Sequence, residues 1–134
     1  MNPKEILERY LLAGLTRNPA AQAALFTDDG VYEAPLLPPG GPLPARLEGH
    51  EQLREGFAAY QRATGSGTMR PDPHRSGYVL HTTADPDVFI LELDTVLTDG
   101  TVLTDGTDTR SVSLVQIFRL RDGKIARLRD YFAL

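Results

Sequence analysis

Residues 111–132 read SVSLVQIFRLRDGKIARLRDYF, and this stretch decides the fold. Two runs rich in β-forming residues, 111–121 and 124–132, stand on either side of Asp122-Gly123. Asp-Gly favours the two central positions of a tight hairpin turn, because both positions require positive φ. The stretch therefore predicts an antiparallel hairpin of two strands.

Apolar residues recur at every second position of both strands, which assigns one face of the hairpin to the core. Two polar residues interrupt that face, Gln116 in the first strand and Asp130 in the second. The apolar residues that share the face are Val112, Leu114, Phe118, Leu120, Ala126, Leu128 and Phe132. Gln116 and Asp130 are therefore the first candidates for a functional site.

The two polar residues have different chemical uses. Burial raises the pKa of a carboxyl group and makes Asp130 a candidate acid or base near neutral pH. A buried Gln116 amide needs partners, which a ligand or the backbone could supply. The alternative for Asp130 is a solvated strand end, where the carboxylate pairs with Arg129 or another arginine.

The rest of the chain predicts helices first and strands afterwards. Asn2 and Pro3 begin an amphipathic helix, Asn18 and Pro19 begin a second over 20–26, and 51–63 has helical spacing. A short strand is predicted at 31–34, and the β-rich runs 78–83 and 88–97 precede the hairpin. This order predicts an α+β fold with about three helices packed on one face of a curved antiparallel sheet.

Composition excludes several classes of function. The chain has 134 residues, 41% of them hydrophobic, which predicts one domain over 1–134. With no cysteine and three scattered histidines, we expect neither a metal site nor a thiol nucleophile. A net charge of −4 with dispersed basic residues argues against nucleic acid. Without a signal sequence or a long apolar run, we expect a cytoplasmic protein that does not enter membranes.

Two further segments stand out, one by its proline content and the other by an internal repeat. Residues 35–44 contain five prolines and two glycines, so they predict a loop, either a semi-rigid lid over a cavity or an ordinary surface connector. The sequence VLTDGT occurs at 96–101 and again at 102–107. We interpret this repeat as a lengthened hairpin connection, because its aspartates 99, 105 and 108 lack the ligand spacing of a calcium loop.

Several stretches together resemble the nuclear transport factor 2-like superfamily, which includes ketosteroid isomerases, SnoaL-like polyketide cyclases and phenazine-biosynthesis A/B proteins. The resemblance is carried by ERY at 8–10, LFTDDGVYEAP at 25–35, GHEQLR at 49–54, FRLRDGKI at 118–125 and RDYF at 129–132. It covers nearly the whole chain. It implies a cone-shaped curved sheet with helices packed on its concave face, and a pocket inside the cone.

The resemblance also implies roles for particular residues. Tyr10 falls where the isomerases place a tyrosine that donates to the substrate oxyanion, although it could equally be a core aromatic. Ala34 replaces their general base and Gln116 their second donor, whereas Asp130 resembles an acid of the phenazine-type proteins. Phe89, Leu91 and Leu93 would line the pocket. The opposite face of that strand, with Glu92 and Asp94, would form a homodimer interface.

We therefore predict a cofactor-independent acid/base enzyme, an isomerase, cyclase or dehydratase, acting on an apolar, oxygen-bearing small molecule. Asp130 and Tyr10 are the predicted catalytic residues. The predicted substrate contacts are Tyr32, Gln116, Phe89, Leu91, Leu93, Leu128 and Phe132. Loss of the isomerase base at Ala34 favours the alternative, a non-catalytic binding or accessory module. Epoxide hydrolysis ranks lower, because it needs an Asp-Arg-Asp relay and only one inward acid is evident.

Overall fold

The computed structural model describes residues 2–65, 70–98 and 109–133. In chain order the helices are α1 (Pro3–Leu15), α2 (Pro19–Ala23) and α3 (Gly49–Gly65). The strands are β1 (Phe26–Glu33), β2 (Arg46–Glu48), β3 (Arg70–Pro71), β4 (Gly77–Thr82), β5 (Val88–Thr98), β6 (Thr109–Arg121) and β7 (Lys124–Tyr131). The prediction of an α+β fold is confirmed.

Both N-terminal helices begin where the sequence predicts. The Asn2 side chain accepts a hydrogen bond from the Glu5 amide at 2.9 Å, and Asn18 does the same for Ala21 at 3.0 Å. Each helix has proline in its first turn, where the missing N–H costs nothing. The asparagine-proline pairs therefore define both starts.

The second helix is shorter than predicted, because strand pairing takes over its last residues. Phe26 is fully buried and pairs with Ile125 of β7, whose amide donates to the Leu25 carbonyl at 2.9 Å. These contacts with the far end of the chain outweigh the local helix preference of the alanine-rich run. The first strand accordingly begins at Phe26 rather than at 31.

The strands form one curved, open sheet in the order β2-β1-β7-β6-β5-β3, with β4 also paired to β5. Neighbouring strands run antiparallel except β1 and β7, which run parallel. Asp122 and Gly123 have φ values of 52° and 76°, so the predicted tight turn joins β6 and β7. The short strands β2 and β3 were not predicted.

The core lies between the helices and the inward face of the sheet. Its largest fully buried side chains are Ile6, Leu7, Phe26, Leu53, Phe89, Leu91, Phe118, Ile125 and Leu128. They come from α1, α3 and four strands. Phe118 and Leu128 are residues that the alternation assigned to the core, but Ile125, which the alternation places on the outward face, is fully buried, because the β6–β7 register shifts between Arg119 and Leu120. No helix among the described residues has the length and apolar character needed to span a membrane.

Residues 35–44, hereafter the proline-rich segment, form a loop of turns and bends, as predicted. The loop is closed at its base, where the Ala34 amide donates to the Ala45 carbonyl at 2.8 Å. The Leu37 amide donates to the Ala34 carbonyl at 3.1 Å, and the Leu37 side chain is buried in the core. Most of the tandem repeat lies outside the described residues; its first three residues, 96–98, end β5.

Candidate active site

The two polar residues of the inward face lie side by side. Gln116 of β6 is the direct cross-strand partner of Asp130 of β7, and Leu91 of β5 pairs with Gln116 on the other side. Asp130 is 6% exposed and Gln116 is 5% exposed. The pairing register thus places an amide and a carboxyl group next to each other in a buried row of the sheet.

A tyrosine from the first strand completes this polar group. The Tyr32 hydroxyl donates a hydrogen bond of 2.6 Å to Oδ2 of Asp130. Two buried oxygens, Oδ1 of Asp130 and Oε1 of Gln116, receive no hydrogen bond from any described residue. Because buried polar atoms are normally satisfied, these two oxygens are the natural points for a ligand to donate hydrogen bonds.

Burial raises the pKa of the Asp130 carboxyl from its ordinary value of 3.8 to about 6, with the side chains of Tyr32 and Gln116 opposing the rise. Burial, followed by the negative charge of Asp130, also raises the pKa of Tyr10 and of Tyr32. The two phenols therefore stay protonated near neutral pH and serve as donors. The carboxyl group, in contrast, titrates close to neutrality.

No cation compensates Asp130 among the described ion pairs. Arg129 lies on the opposite face of β7, with its guanidinium over the Tyr131 ring at 5.5 Å from the centroid. The structure thus contradicts the alternative in which Asp130 sits in solvent and pairs with Arg129. Its carboxyl group is buried among aromatic, amide and apolar side chains.

Burial changes along the sheet on either side of the Asp130–Gln116 row. On one side lie Tyr32, Leu128, Phe118 and Phe89, whose backbones pair in register and whose side chains are buried. On the other side lie Leu93, Leu114 and Phe132, all partly exposed. The polar row therefore marks the boundary between the closed core and the open end of the cone.

The predicted substrate contacts divide along this boundary. Leu93 and Phe132 lie at the partly exposed end, and Gln116 and Leu91 lie in the polar row. Phe89 and Leu128 belong to the deeper, fully buried row, where Phe89 stacks on Phe118 at a centroid distance of 4.6 Å. Those two side chains form the floor beneath Asp130 and Gln116.

Tyr10 approaches the site from α1. Its ring packs edge-on against Phe118 at 5.6 Å and against Phe57 at 6.2 Å, and the residue is buried. The charge of Asp130 contributes to the raised pKa of Tyr10, so the phenol lies within electrostatic range of the carboxylate. Tyr10 is thus both a core aromatic and a neighbour of the polar group.

The sequence reasoning missed Tyr60 of α3 as a site residue. Its ring contacts Tyr32 at 5.8 Å and Phe132 at 6.2 Å, and its hydroxyl donates to the Pro44 carbonyl at 2.6 Å. The available signal was its place on the apolar stripe of the predicted third helix, one turn beyond Phe57.

The histidines and the surface grooves lie apart from the Asp130 site. Within the described ranges, no three His, Asp or Glu side chains converge in a way that could hold a metal ion. His50 contacts the Phe26 carbonyl at 2.8 Å, and His81 lies 3.2 Å from Glu92. Two open grooves of about 390 and 480 Å³ lie beside α2 and α3, away from Asp130.

The curved open sheet with three helices packed on its inner face is the architecture of the nuclear transport factor 2-like superfamily. Within it, the chain belongs to the family defined by the SnoaL-like domain, which matches residues 7–128. This match confirms the resemblance drawn from the sequence.

Individual proteins are also similar to this chain. The chain is 28% identical over 129 residues to the uncharacterized protein YesE of Bacillus subtilis (strain 168), covering 96% of this chain and 79% of that protein. A crystal structure of a candidate isomerase from Bacillus subtilis matches with a TM-score of 0.71 and 20% identity, over 96% of this chain and 84% of that one. TerC, co-crystallized with polyporic acid, matches with a TM-score of 0.66 and 19% identity, over 96% and 89%. At these identities the two structures show a shared fold.

Proposed function

We propose that the protein is a cofactor-independent acid/base enzyme that binds an apolar, oxygen-bearing small molecule at the open end of the cone. The observation that carries the proposal is Asp130, a buried carboxyl group without a described counter-cation, whose pKa burial raises to about 6. A group with that pKa exists in both protonation states near neutral pH, which suits proton transfer in either direction.

In the proposed reaction, ionised Asp130 takes a proton from a carbon next to a substrate carbonyl. The C–H electron pair moves into a new C=C bond, and the carbonyl electrons move onto oxygen. Neutral donors then stabilise the developing charge on oxygen. Tyr10 and the Gln116 amide are the donors we assign to this task, whereas Tyr32 donates its one hydroxyl proton to Asp130 and orients the carboxylate. Protonated Asp130 returns its proton at another position to complete an isomerisation or cyclisation.

The surroundings of Asp130 favour an apolar substrate. Leu93, Leu114 and Phe132 are partly exposed beside the polar row, whereas the described ion pairs all lie elsewhere. A substrate seated there would bury hydrocarbon against these side chains and direct its oxygen to the polar group. Co-crystallization of TerC with polyporic acid supports a ligand of this general kind.

The first test is Asp130→Asn, which keeps the shape of the side chain and removes the acid. We expect the wild-type protein to catalyse deuterium uptake from D2O into apolar ketones, with 2-tetralone as the starting probe. The variant should lose about 100-fold or more of that rate, the usual contribution of a positioned acid or base. The matched control is Asp87→Asn, which changes an exposed acid in the turn before β5.

The alternative is a non-catalytic binding module of the same fold, favoured by Ala34 at the position of the isomerase base. Binding of 2-naphthol, an apolar phenol, followed by fluorescence, separates the two functions. Binding without any ketone exchange would support the module. An NMR titration that gives Asp130 a pKa near 4 would contradict the acid/base proposal itself.

We also propose a homodimer formed through the outer face of the sheet. Val79, Ile90, Val115 and Ile117 provide apolar surface there, and Val115 is 38% exposed. Charges of opposite sign flank it, with arginines 119, 127 and 129 on β6 and β7 and acids 92 and 94 on β5. A two-fold axis that pairs β5 with β7 of a second copy would bring these opposite charges together.

A further inference from the structure

The proline-rich segment leaves the sheet beside the candidate site. Glu33 pairs with Arg129 in the parallel β1–β7 ladder, so the next residue, Ala34, stands next to Asp130. The segment then returns at Ala45, whose carbonyl accepts from the Ala34 amide at 2.8 Å. One end of this loop thus stands next to Asp130, and the other lies one strand further out.

Tyr60 is the side chain that joins this segment to the site. Its hydroxyl donates to the carbonyl of Pro44, the last residue of the segment, at 2.6 Å. Its ring packs edge-on with the rings of Tyr32 and Phe132. Because Tyr32 is buried and Phe132 is partly exposed, Tyr60 contacts both the buried polar group and the partly exposed end of the sheet.

The segment itself favours a device with two positions. Five prolines and the turn at Leu37 limit its internal freedom, so its internal turns would persist while the end at Pro44 and Ala45 moves. The Leu37 side chain is buried in the core, whereas Leu36 is exposed. The Tyr60–Pro44 hydrogen bond is therefore a contact whose loss would loosen one end of the loop and leave its anchor in place.

We propose that Tyr60 is a positioning residue of the Asp130 site, which latches the proline-rich segment over the Tyr32–Asp130 pair and controls ligand access to it. This inference rests on the proposed function in one respect only, namely that Asp130 marks the functional site. The groups that face Asp130 come from every element packed around it: Tyr10 from α1, Tyr32 from β1, Tyr60 from α3 and Gln116 from β6. Among them Tyr60 alone also contacts the segment through a hydrogen bond that the structure describes.

The test is Tyr60→Phe, which keeps the ring and removes the latch hydroxyl. Amide exchange at Ala34, whose hydrogen bond to the Ala45 carbonyl closes the loop next to Pro44, should accelerate about fivefold, the factor expected for one hydrogen bond. Exchange in the β5–β6 ladder should stay unchanged, which also verifies that the variant folds. Tyr78→Phe, at an exposed tyrosine of β4, is the matched control.

Two further readouts distinguish positioning from a merely structural contact. The association rate of 2-naphthol should rise severalfold in Tyr60→Phe, and the pKa of Asp130, followed by NMR, should fall because an opened segment admits water. Unchanged exchange at Ala34, or equal acceleration throughout the sheet, would overturn the latch. A wild-type Asp130 pKa near 4 would instead contradict the proposed function, and the exchange result would still decide the latch.

Discussion

Asp130 destabilises the fold when it is ionised, because its charge is buried without a described counter-cation. Burial raises its pKa from 3.8 to about 6, so over this interval the folded chain holds the proton more tightly than the unfolded chain does. The free energy of unfolding therefore falls as pH rises from about 4 to about 6. Above about pH 6 the buried carboxylate is ionised and lowers the free energy of unfolding by about 3 kcal/mol.

Asp130→Asn should for this reason stabilise the protein near neutral pH while it lowers the proposed ketone exchange. We expect the free energy of unfolding in urea to rise by about 1–3 kcal/mol at pH 8, since the neutral amide still accepts from Tyr32. At pH 3, where both states of the wild type carry the proton, the difference should disappear. A variant less stable than the wild type at pH 8 would show that burial of the Asp130 charge does not destabilise the fold, and Asp87→Asn again serves as the control.

The site residues differ in how far the sequence could predict them. Alternation along two adjacent strands was enough to place Gln116 and Asp130 on the inward face. Their shared row depends on the register shift between Arg119 and Leu120, because the tight turn alone would set Gln116 opposite Arg129. The partner of Asp130 was beyond that reasoning, because Tyr32 lies 98 positions away in the chain. Tyr60 was missed for the same reason, since only packing brings its helix against Tyr32 and the Pro44 carbonyl.

At the scale of elements, the approach of α3 to β2 depends on a residue without a side chain. A Cβ atom added at Gly56 would lie 2.3 Å from one methyl carbon of Leu47 and 2.9 Å from its Cγ. Leu47 is buried and belongs to the core, so it has little room to move. The glycine therefore permits the helix to pack closely on the short strand.

Gly56→Ala should lower the free energy of unfolding by about 1 kcal/mol or more. Overpacking of a core typically costs about 1–3 kcal/mol, and the helix preference of alanine returns about 1 kcal/mol of that. Gly77→Ala is the control, because a Cβ there meets no atom within 4 Å. Thermal or urea unfolding of both variants measures the difference, and equal stabilities would refute the close-packing argument.

The elements with strong local signals were predicted well. The asparagine caps, the long strands β5, β6 and β7 and the Asp-Gly turn all stand where the sequence indicated. The errors fall where pairing partners are distant. Phe26, predicted as the end of the second helix, instead begins β1 and pairs with β7. The short strand β2 is defined only by its pairing with β1.

At the scale of the whole molecule, the outer sheet face sets the expected assembly. Val115→Glu would place a third acid beside Glu92, its cross-strand neighbour, in the middle of the proposed interface. We expect light scattering to find a dimer for the wild type and a monomer for this variant. Leu12→Glu, at a 60% exposed position on α1, is the control and should stay dimeric. A monomeric wild type would contradict the proposed interface.

The sequence by itself determined the α+β class, the family resemblance and the single inward acid, because hydrophobic period, caps and turn residues are local signals. Only the tertiary structure decided that Tyr32 donates to Asp130 and that Tyr60 joins the proline-rich segment to the site. It also decided that Asp130 is buried without a described cation, which is the physical origin of its raised pKa. Desolvation and long-range contacts depend on how distant segments meet in space, and no local pattern in the chain encodes them.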